Sequence, residues 1–176
     1  FLPLIIILAL YLKNFLVFDF FGSSSWIGMN LSRISVHQMV QNQKEVLIKK
    51  GDLSQLTSIA PFTHYKDMDS KFVEKYFSNH SGIGVLDKLE KINGRTNYNN
   101  AGYIAISNQL LKDDLFIIKN YPQVYLAGIL KAFTLYFDSP TKYKLISANA
   151  YKIKTYNKIY DAFNPEENWY ADSYLA

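Results

Sequence analysis

Few side chains of this sequence are of types that do chemistry, and their spacing assembles no complete motif. The histidines are His37, His64 and His80. A helical metal site needs ligands a turn apart, as in His-x-x-x-His, and none of the three has such a partner. With no cysteine in the chain, disulfides, thiolate zinc sites and cysteine nucleophiles are excluded. No Gly-x-Ser-x-Gly, no phosphate-binding Gly-x-x-x-x-Gly-Lys and no Gly-x-Gly-x-x-Gly occurs. No catalytic residue is therefore assigned, and neither a metal nor a cofactor is expected. Asp113-Asp114 is an acidic pair without a partner motif, of the kind that usually marks a solvated turn. Asp114 falls four residues after Leu110, inside an apolar helical face, and a buried carboxylate is costly unless it is paired. The bland reading is that the helix kinks or turns Asp114 outward near 112–114; the sharp one is a functional carboxylate. Trp26, Arg33 and His37 pose the same choice. They are packing residues with a local hydrogen bond, or a polar cluster facing a ligand near a membrane. Two segments match the glycosylation pattern, Asn30-Leu31-Ser32 and Asn79-His80-Ser81, and carry little weight.

Composition narrows the class. A chain of 176 residues with 49% hydrophobic residues has enough apolar material for one domain with a membrane appendage. Aromatics make up 16%, dominated by 14 Tyr and 12 Phe, and tyrosine, apolar in its ring and wet at its hydroxyl, suits half-buried surfaces and membrane interfaces. The net charge of +4 comes mostly from lysine, with arginine only at Arg33 and Arg95. Nucleic-acid binders show a denser basic patch, so no nucleic-acid partner is expected. The opening residue is Phe1 rather than Met, which reads as a fragment or a processed form.

The elements that must position these residues follow from periodicity. Residues 1–12 are continuously apolar; Lys13-Asn14 interrupt, and FLVFDFF continues to Phe21. A span of the hydrocarbon core takes about 20 residues. Residues 1–21 are read as a truncated transmembrane or anchor helix with an interfacial aromatic belt of Phe15, Phe18, Phe20 and Phe21 and a snorkelling Lys13. A signal-peptide core and a buried core segment are the alternatives. After the turn 22–25, a helix is expected from Trp26 to Lys50, stopped by Gly51. Residues 51–68 read as a long connection with a short extended piece at 56–59. Short helices follow at Asp69–Phe77 and Gly84–Lys91, then the Asn93-Gly94 turn. Asn99 or Asn100 caps a helix over Ala101–Lys119.

The segment 120–140 is the most apolar of the interior. Pro122 suits a first helical turn and Pro140 ends it. Tyr125, Leu126, Ile129, Leu130, Phe133, Tyr136 and Phe137 fill one arc with Lys131 nearly opposite, so this helix is either the central core helix or one lying on the bilayer surface. From Thr141 to Phe163, Ile146, Ala150, Ile153, Tyr156, Tyr160 and Phe163 form a stripe opposite Lys144, Lys154 and Lys158. Such a face suits anionic lipid or plain solvation. Residues 164–176 read as a polar and aromatic tail.

Ile118, Lys119, Pro122, Tyr125, Leu126, Phe137 and Pro140 form an Ile-Lys-x-x-Pro-x-x-Tyr-Leu run followed by a helix closing in Phe-x-x-Pro. With Trp26-Ile27-Gly28-Met29-Asn30 and Asn97-Tyr98-Asn99-Asn100, this resembles the extracytoplasmic portions of polytopic bacterial membrane glycosyltransferases of the C-type fold, the dolichyl-phosphate-mannose mannosyltransferase kind. The resemblance implies a juxtamembrane, extracytoplasmic region on the periplasmic or outer face. That region would help position a lipid-linked sugar donor or its acceptor, with the catalytic residues outside it. The candidate substrate contacts are Trp26, Asn30, Arg33, His37, Asn97, Asn100 and Asp114. From their apolar and aromatic patterning, Lys13, Phe15, Phe18, Phe21, Tyr125, Phe133, Tyr136 and Phe137 are the candidate membrane-interface residues. The expected fold is mainly α: an irregular bundle of about five or six helices over 22–163, behind a partial N-terminal transmembrane helix. The alternative is a membrane-tethered binding or structural domain without catalysis; a secreted helical enzyme is the third reading.

Overall fold

The computed structural model describes residues 1–18, 21–78, 81–136 and 151–163. These residues are mainly helical, and no β-strand occurs among them. The α-helices run α1 Leu2–Phe18, α2 Ile27–Ser32, α3 Gln41–Lys50, α4 Ser70–Phe77, α5 Gly84–Asp87, α6 Ala101–Asn120, α7 Pro122–Tyr136 and α8 Lys154–Phe163. Short 3-10 turns lie at Val36–Gln38, Gln55–Ser58 and Tyr65–Asp67. The chain divides into two compact units, Phe1–Ile129 and Leu130–Ala176.

Within the first unit, α6 is the axis. Asn100 caps it by accepting from the Gly102 N–H at 2.8 Å, and Tyr121 closes it with an N–H to the Ile117 carbonyl at 2.7 Å. One face of its 20 residues is buried. Tyr103, Ile106 and Leu110 join Met29 and Leu56 in one apolar cluster. Ile117 joins Val36, Met39, Leu47 and Leu53 in another. α2 crosses α6 where Gly28 sits, so close that a Cβ there would lie 1.8 Å from the Ser107 carbonyl oxygen. α4, capped by Asp69, packs on α6 at Gly102, where a Cβ would meet the Phe77 ring and the Tyr76 carbonyl at 2.5 Å.

Several expectations change. The single helix over 26–50 is broken into α2, the 3-10 turn Val36–Gln38 and α3. Its serines explain the break. The Ser32 hydroxyl turns back on the Met29 carbonyl at 3.0 Å and that of Ser35 on the Leu31 carbonyl at 3.0 Å, competing with the main-chain ladder. At Ser35 the backbone leaves the helix (φ −123°, ψ −99°). Gly51 does end α3, with φ 81°. The extended piece expected at 56–59 is the 3-10 turn Gln55–Ser58, and the helix expected at 84–91 stops at Asp87. α6 neither kinks nor turns Asp114 outward: the helix is continuous and Asp114 is wholly buried.

α7 is not the central core helix. It meets the domain through Gly128, where a Cβ would lie 1.9 Å from the Ile34 carbonyl oxygen, and Val124 packs on the second cluster. Much of its apolar arc, Leu126, Ile129, Leu130, Phe133 and Tyr136, is exposed. Phe137, the segment 141–150 and the tail 164–176 lie outside the described residues. α1 is an apolar helix exposed along nearly its whole length. Its C-terminal end is tied by Asn14, whose Nδ2 donates to the Gly22 carbonyl at 2.7 Å, and by Tyr11 edge-on to Phe21 at 5.3 Å. No helix among the described residues is long and apolar enough to cross a membrane; α1 has 17 residues, about 25 Å of helix.

Candidate functional site

Between its apolar clusters α6 carries a polar seam. Asp113 and Asp114 are adjacent and buried, and each braces the start of a 3-10 turn. Asp113 Oδ1 accepts the Ser54 backbone N–H at 3.2 Å and the Gln109 amide at 3.3 Å, while the Ser54 hydroxyl donates to Oδ2. Ser54 is the residue before Gln55–Ser58. Burial raises the Asp113 carboxyl above its ordinary range, and the bonds from Ser54 and Gln109 pull it back.

Asp114 reaches the other turn. Its Oδ1 lies 2.5 Å from the Ser35 hydroxyl, and its Oδ2 is buried with no hydrogen-bond partner. Burial pushes this carboxyl up to about 7, against hydrogen bonds from the Ser35 hydroxyl and the Val36 backbone N–H and with the Asp113 charge adding to the rise. His37, in the turn Val36–Gln38, is half-buried, and its Nε2 is likewise buried without a partner. Burial, then the positive charges of Lys44 and Arg33, lower it to about 4, against its hydrogen bond to the Ile59 backbone. At neutral pH the imidazole is therefore uncharged. Lys44 is itself buried, and burial lowers its pKa.

A second feature lies on the first apolar cluster. Trp26, Phe62 and Tyr98 pack edge-on with centroids 5.7, 6.2 and 5.4 Å apart. Their polar ends are spent on the backbone. Trp26 Nε1 donates to the Tyr98 carbonyl at 3.0 Å, the Tyr98 hydroxyl to that of Phe62 at 2.6 Å and the Tyr103 hydroxyl to that of Thr63 at 3.0 Å. These bonds hold Phe62 in the left-handed region at φ 64°, a conformation costing a bulky residue about 1–3 kcal/mol. Beneath it lies a small hollow lined by Met29, Leu56, Ile59, Phe62, Met68 and Tyr103, with room for about one water-sized group.

The expected substrate contacts therefore fall into separate places. Asn97 and Asn100 are buried and work structurally: Asn97 Nδ2 donates to the Val85 and Lys88 carbonyls at 2.9 Å, and Asn100 also holds Lys88 at 3.3 Å. Asp114 and His37 belong to the buried seam. Asn30 and Arg33 are exposed, and Trp26 is half-buried; at i, i+4 and i+7 these three share one side of α2 and its C-cap. At the expected interface Lys13, Phe15, Phe21, Phe133 and Tyr136 are exposed and Tyr125 is half-buried. The Phe18 side chain and Phe137 lie outside the described residues. Among those residues no group of three His, Cys, Asp or Glu side chains is placed to hold a metal ion.

Sequence reasoning passed over Ser35, Ser54, Lys44 and Phe62. The one signal for Ser35 was a pair of serines, 32 and 35, inside an apolar stripe. Phe62, directly after Pro61, gave none. Compared with known proteins, the chain matches no family model, no curated protein and no solved structure.

Proposed function

We propose that this chain is a membrane-tethered helical domain with a binding or structural role, anchored to a bilayer by α1. The observation that carries this reading is the exposure of α1. Leu2, Leu4, Ile5, Ile6, Ile7, Leu8, Leu10 and Leu12 are all between 46% and 70% exposed. Burying a Leu or Ile side chain fully stabilises by about 1.5–3 kcal/mol, and an apolar surface of this extent needs a cover. Hydrocarbon covers every side of a helix at once, as a protein groove does not. The proposal requires contact with hydrocarbon, not a complete span. The test is flotation of the detergent-purified chain with liposomes. It should float, and Ile5→Asp with Leu8→Asp should leave it at the bottom of the gradient. A wild-type chain that stays monomeric without detergent and does not float would sink the reading.

A second reading has one observation in its favour. The side of α2 bearing Trp26, Asn30 and Arg33 combines an aromatic face, an amide and a guanidinium. Sugar rings stack on aromatic faces, and arginine pairs bidentately with phosphate. This supports the proposal that the domain sits on the extracytoplasmic face of a glycosyltransferase-like membrane protein and helps position a lipid-phosphate-linked sugar. In micelles, Arg33→Gln should weaken binding of a polyprenyl-phosphate sugar at least tenfold. Equal binding by wild type and variant would refute it.

A further inference from the structure

We propose that Asp114 is carried in the folded chain as a neutral carboxylic acid and acts as a proton-sensitive latch between α6 and the 33–38 segment. The argument is a hydrogen count. The Ser35 hydroxyl lies within bonding distance of two acceptors, the Leu31 carbonyl at 3.0 Å and Asp114 Oδ1 at 2.5 Å. A serine has one hydrogen to give. If it serves Leu31, the shorter contact must be made by a hydrogen on Asp114. The chain then reads Asp114 O–H to Ser35 Oγ, and Ser35 O–H to the Leu31 carbonyl. Every hydrogen in this chain has an acceptor.

Asp113 is the internal contrast. Three donated hydrogen bonds, from the Ser54 N–H, the Ser54 hydroxyl and Gln109, converge on its two oxygens, which suits an ionised carboxylate. The Val36 backbone N–H also reaches the Asp114 carboxyl, but its Oδ2 is buried with no hydrogen-bond partner. A full charge on Asp114 would be left with that oxygen unsolvated, a costly state. Two neighbouring carboxyls thus sit in opposite protonation states, and the charge on Asp113 reinforces the difference.

The latch joins α6 to the 33–38 segment beside the backbone bond from Val36 to the same carboxyl. Ser35 is where the backbone turns out of the helical course, so the Asp114–Ser35 bond fixes the place at which α2 gives way to Val36–Gln38. When Asp114 ionises, its proton leaves to solvent water. The Ser35 hydrogen must then swing from Leu31 to the carboxylate, and Oδ2 must find water. Both changes loosen the 33–38 segment on α6.

Other charged groups surround this junction. On α6 they are Lys112 and Asp113. The segment after α2 brings Arg33 and His37, and α3 brings Lys44. α4 packs at the far end of α6 and brings Lys71, Glu74 and Lys75; α2 itself brings none. Of these, Asp113 is the one that acts on Asp114.

The sign is fixed by the direction of the shift. A carboxyl raised on folding stabilises fully below the unfolded value near 3.9, and that contribution is lost as pH climbs through the folded value. With the folded value at about 7, the loss runs from about pH 4 to pH 7 and amounts to about a thousand-fold in the folding constant. His37 works the other way over much of the same range, so the total stability of the wild type is not the readout.

The readout is the carboxyl 13C resonance of Asp114 in the full chain in micelles, assigned through its own backbone connectivities, with amide protection factors for 32–38. The carboxyl should titrate two or more pH units above the ordinary aspartate value, and protection of 32–38 should fall at least tenfold between pH 6 and 8. Asp114→Asn keeps a neutral donor toward Ser35 and should hold that protection constant. A carboxyl midpoint in the ordinary aspartate range would overturn the proposal. So would wild-type protection unchanged across that interval. Both measurements stand on the wild type if Asp114→Asn fails to fold.

Discussion

Replacing Gly28 with alanine puts a methyl group into the tightest crossing of the domain. Its Cβ would lie 1.8 Å from the Ser107 carbonyl oxygen and 2.7 Å from the Leu111 nitrogen, both backbone atoms that no rotamer change removes. Ordinary contact begins at 3.4 Å, so α2 must retreat from α6 by about 1.6 Å. That displacement breaks bonds anchored on both sides of the crossing, Trp26 Nε1 to the Tyr98 carbonyl at 3.0 Å and Ser35 to Asp114 at 2.5 Å. Overpacking costs about 1–3 kcal/mol, each lost bond about 1 kcal/mol, and alanine returns about 1 kcal/mol of helix propensity. The net is a destabilisation of about 2–4 kcal/mol, or a Tm lower by about 10 °C for a chain of this size. Thermal denaturation followed by circular dichroism in micelles measures it. Gly84→Ala is the control, since nothing lies within 4 Å of its Cβ and its φ is not positive; its Tm should stay at or slightly above wild type. A Gly28→Ala protein melting with the wild type would refute the account of the α2–α6 crossing.

The remaining predictions concern charge. His37 has its pKa lowered to about 4, so its contribution to stability is complete above the unfolded value near 6.5 and is lost as pH falls through the folded value. In His37→Leu, the difference in Tm from wild type should therefore change across pH 6.5 to 4; a constant difference would show that the imidazole is not held neutral by burial. On α8 and the residues before it, Lys152, Lys154 and Lys158 are exposed alongside Ile153, Tyr156 and Ile159. A basic amphipathic helix of this kind gains about 1 kcal/mol per lysine at an anionic surface. Triple substitution to glutamine should weaken flotation on anionic liposomes and leave flotation on zwitterionic ones unchanged. Equal loss on both would assign the effect to something other than charge.

Local sequence carried the elements whose signals are local. Asn100 is a cap whose side chain serves the next helix directly, and Gly51 is a left-handed stop; both were readable because each depends on residues within one turn, whereas Asp69, read as the first residue of its helix, is its cap. The helices α4, α6 and α7 followed from periodicity for the same reason. Their burial did not. A stripe of Leu126, Ile129, Leu130 and Phe133 looks identical whether it faces a core or stays uncovered.

The sequence by itself therefore determined that this is a mainly helical chain with an apolar first helix, no cysteine chemistry and no complete catalytic motif. Tertiary structure alone decided that α6, not α7, is the axis. It also decided that the helical course through 26–50 breaks at Ser35, and that Asp114 goes inside. The physical reason is distance along the chain. Ser35 and Asp114 are separated by 79 positions, and a carboxyl group in an apolar stripe is costly alone but acceptable beside a hydroxyl brought from elsewhere. Its tolerance is a property of the pair, and only the fold makes the pair.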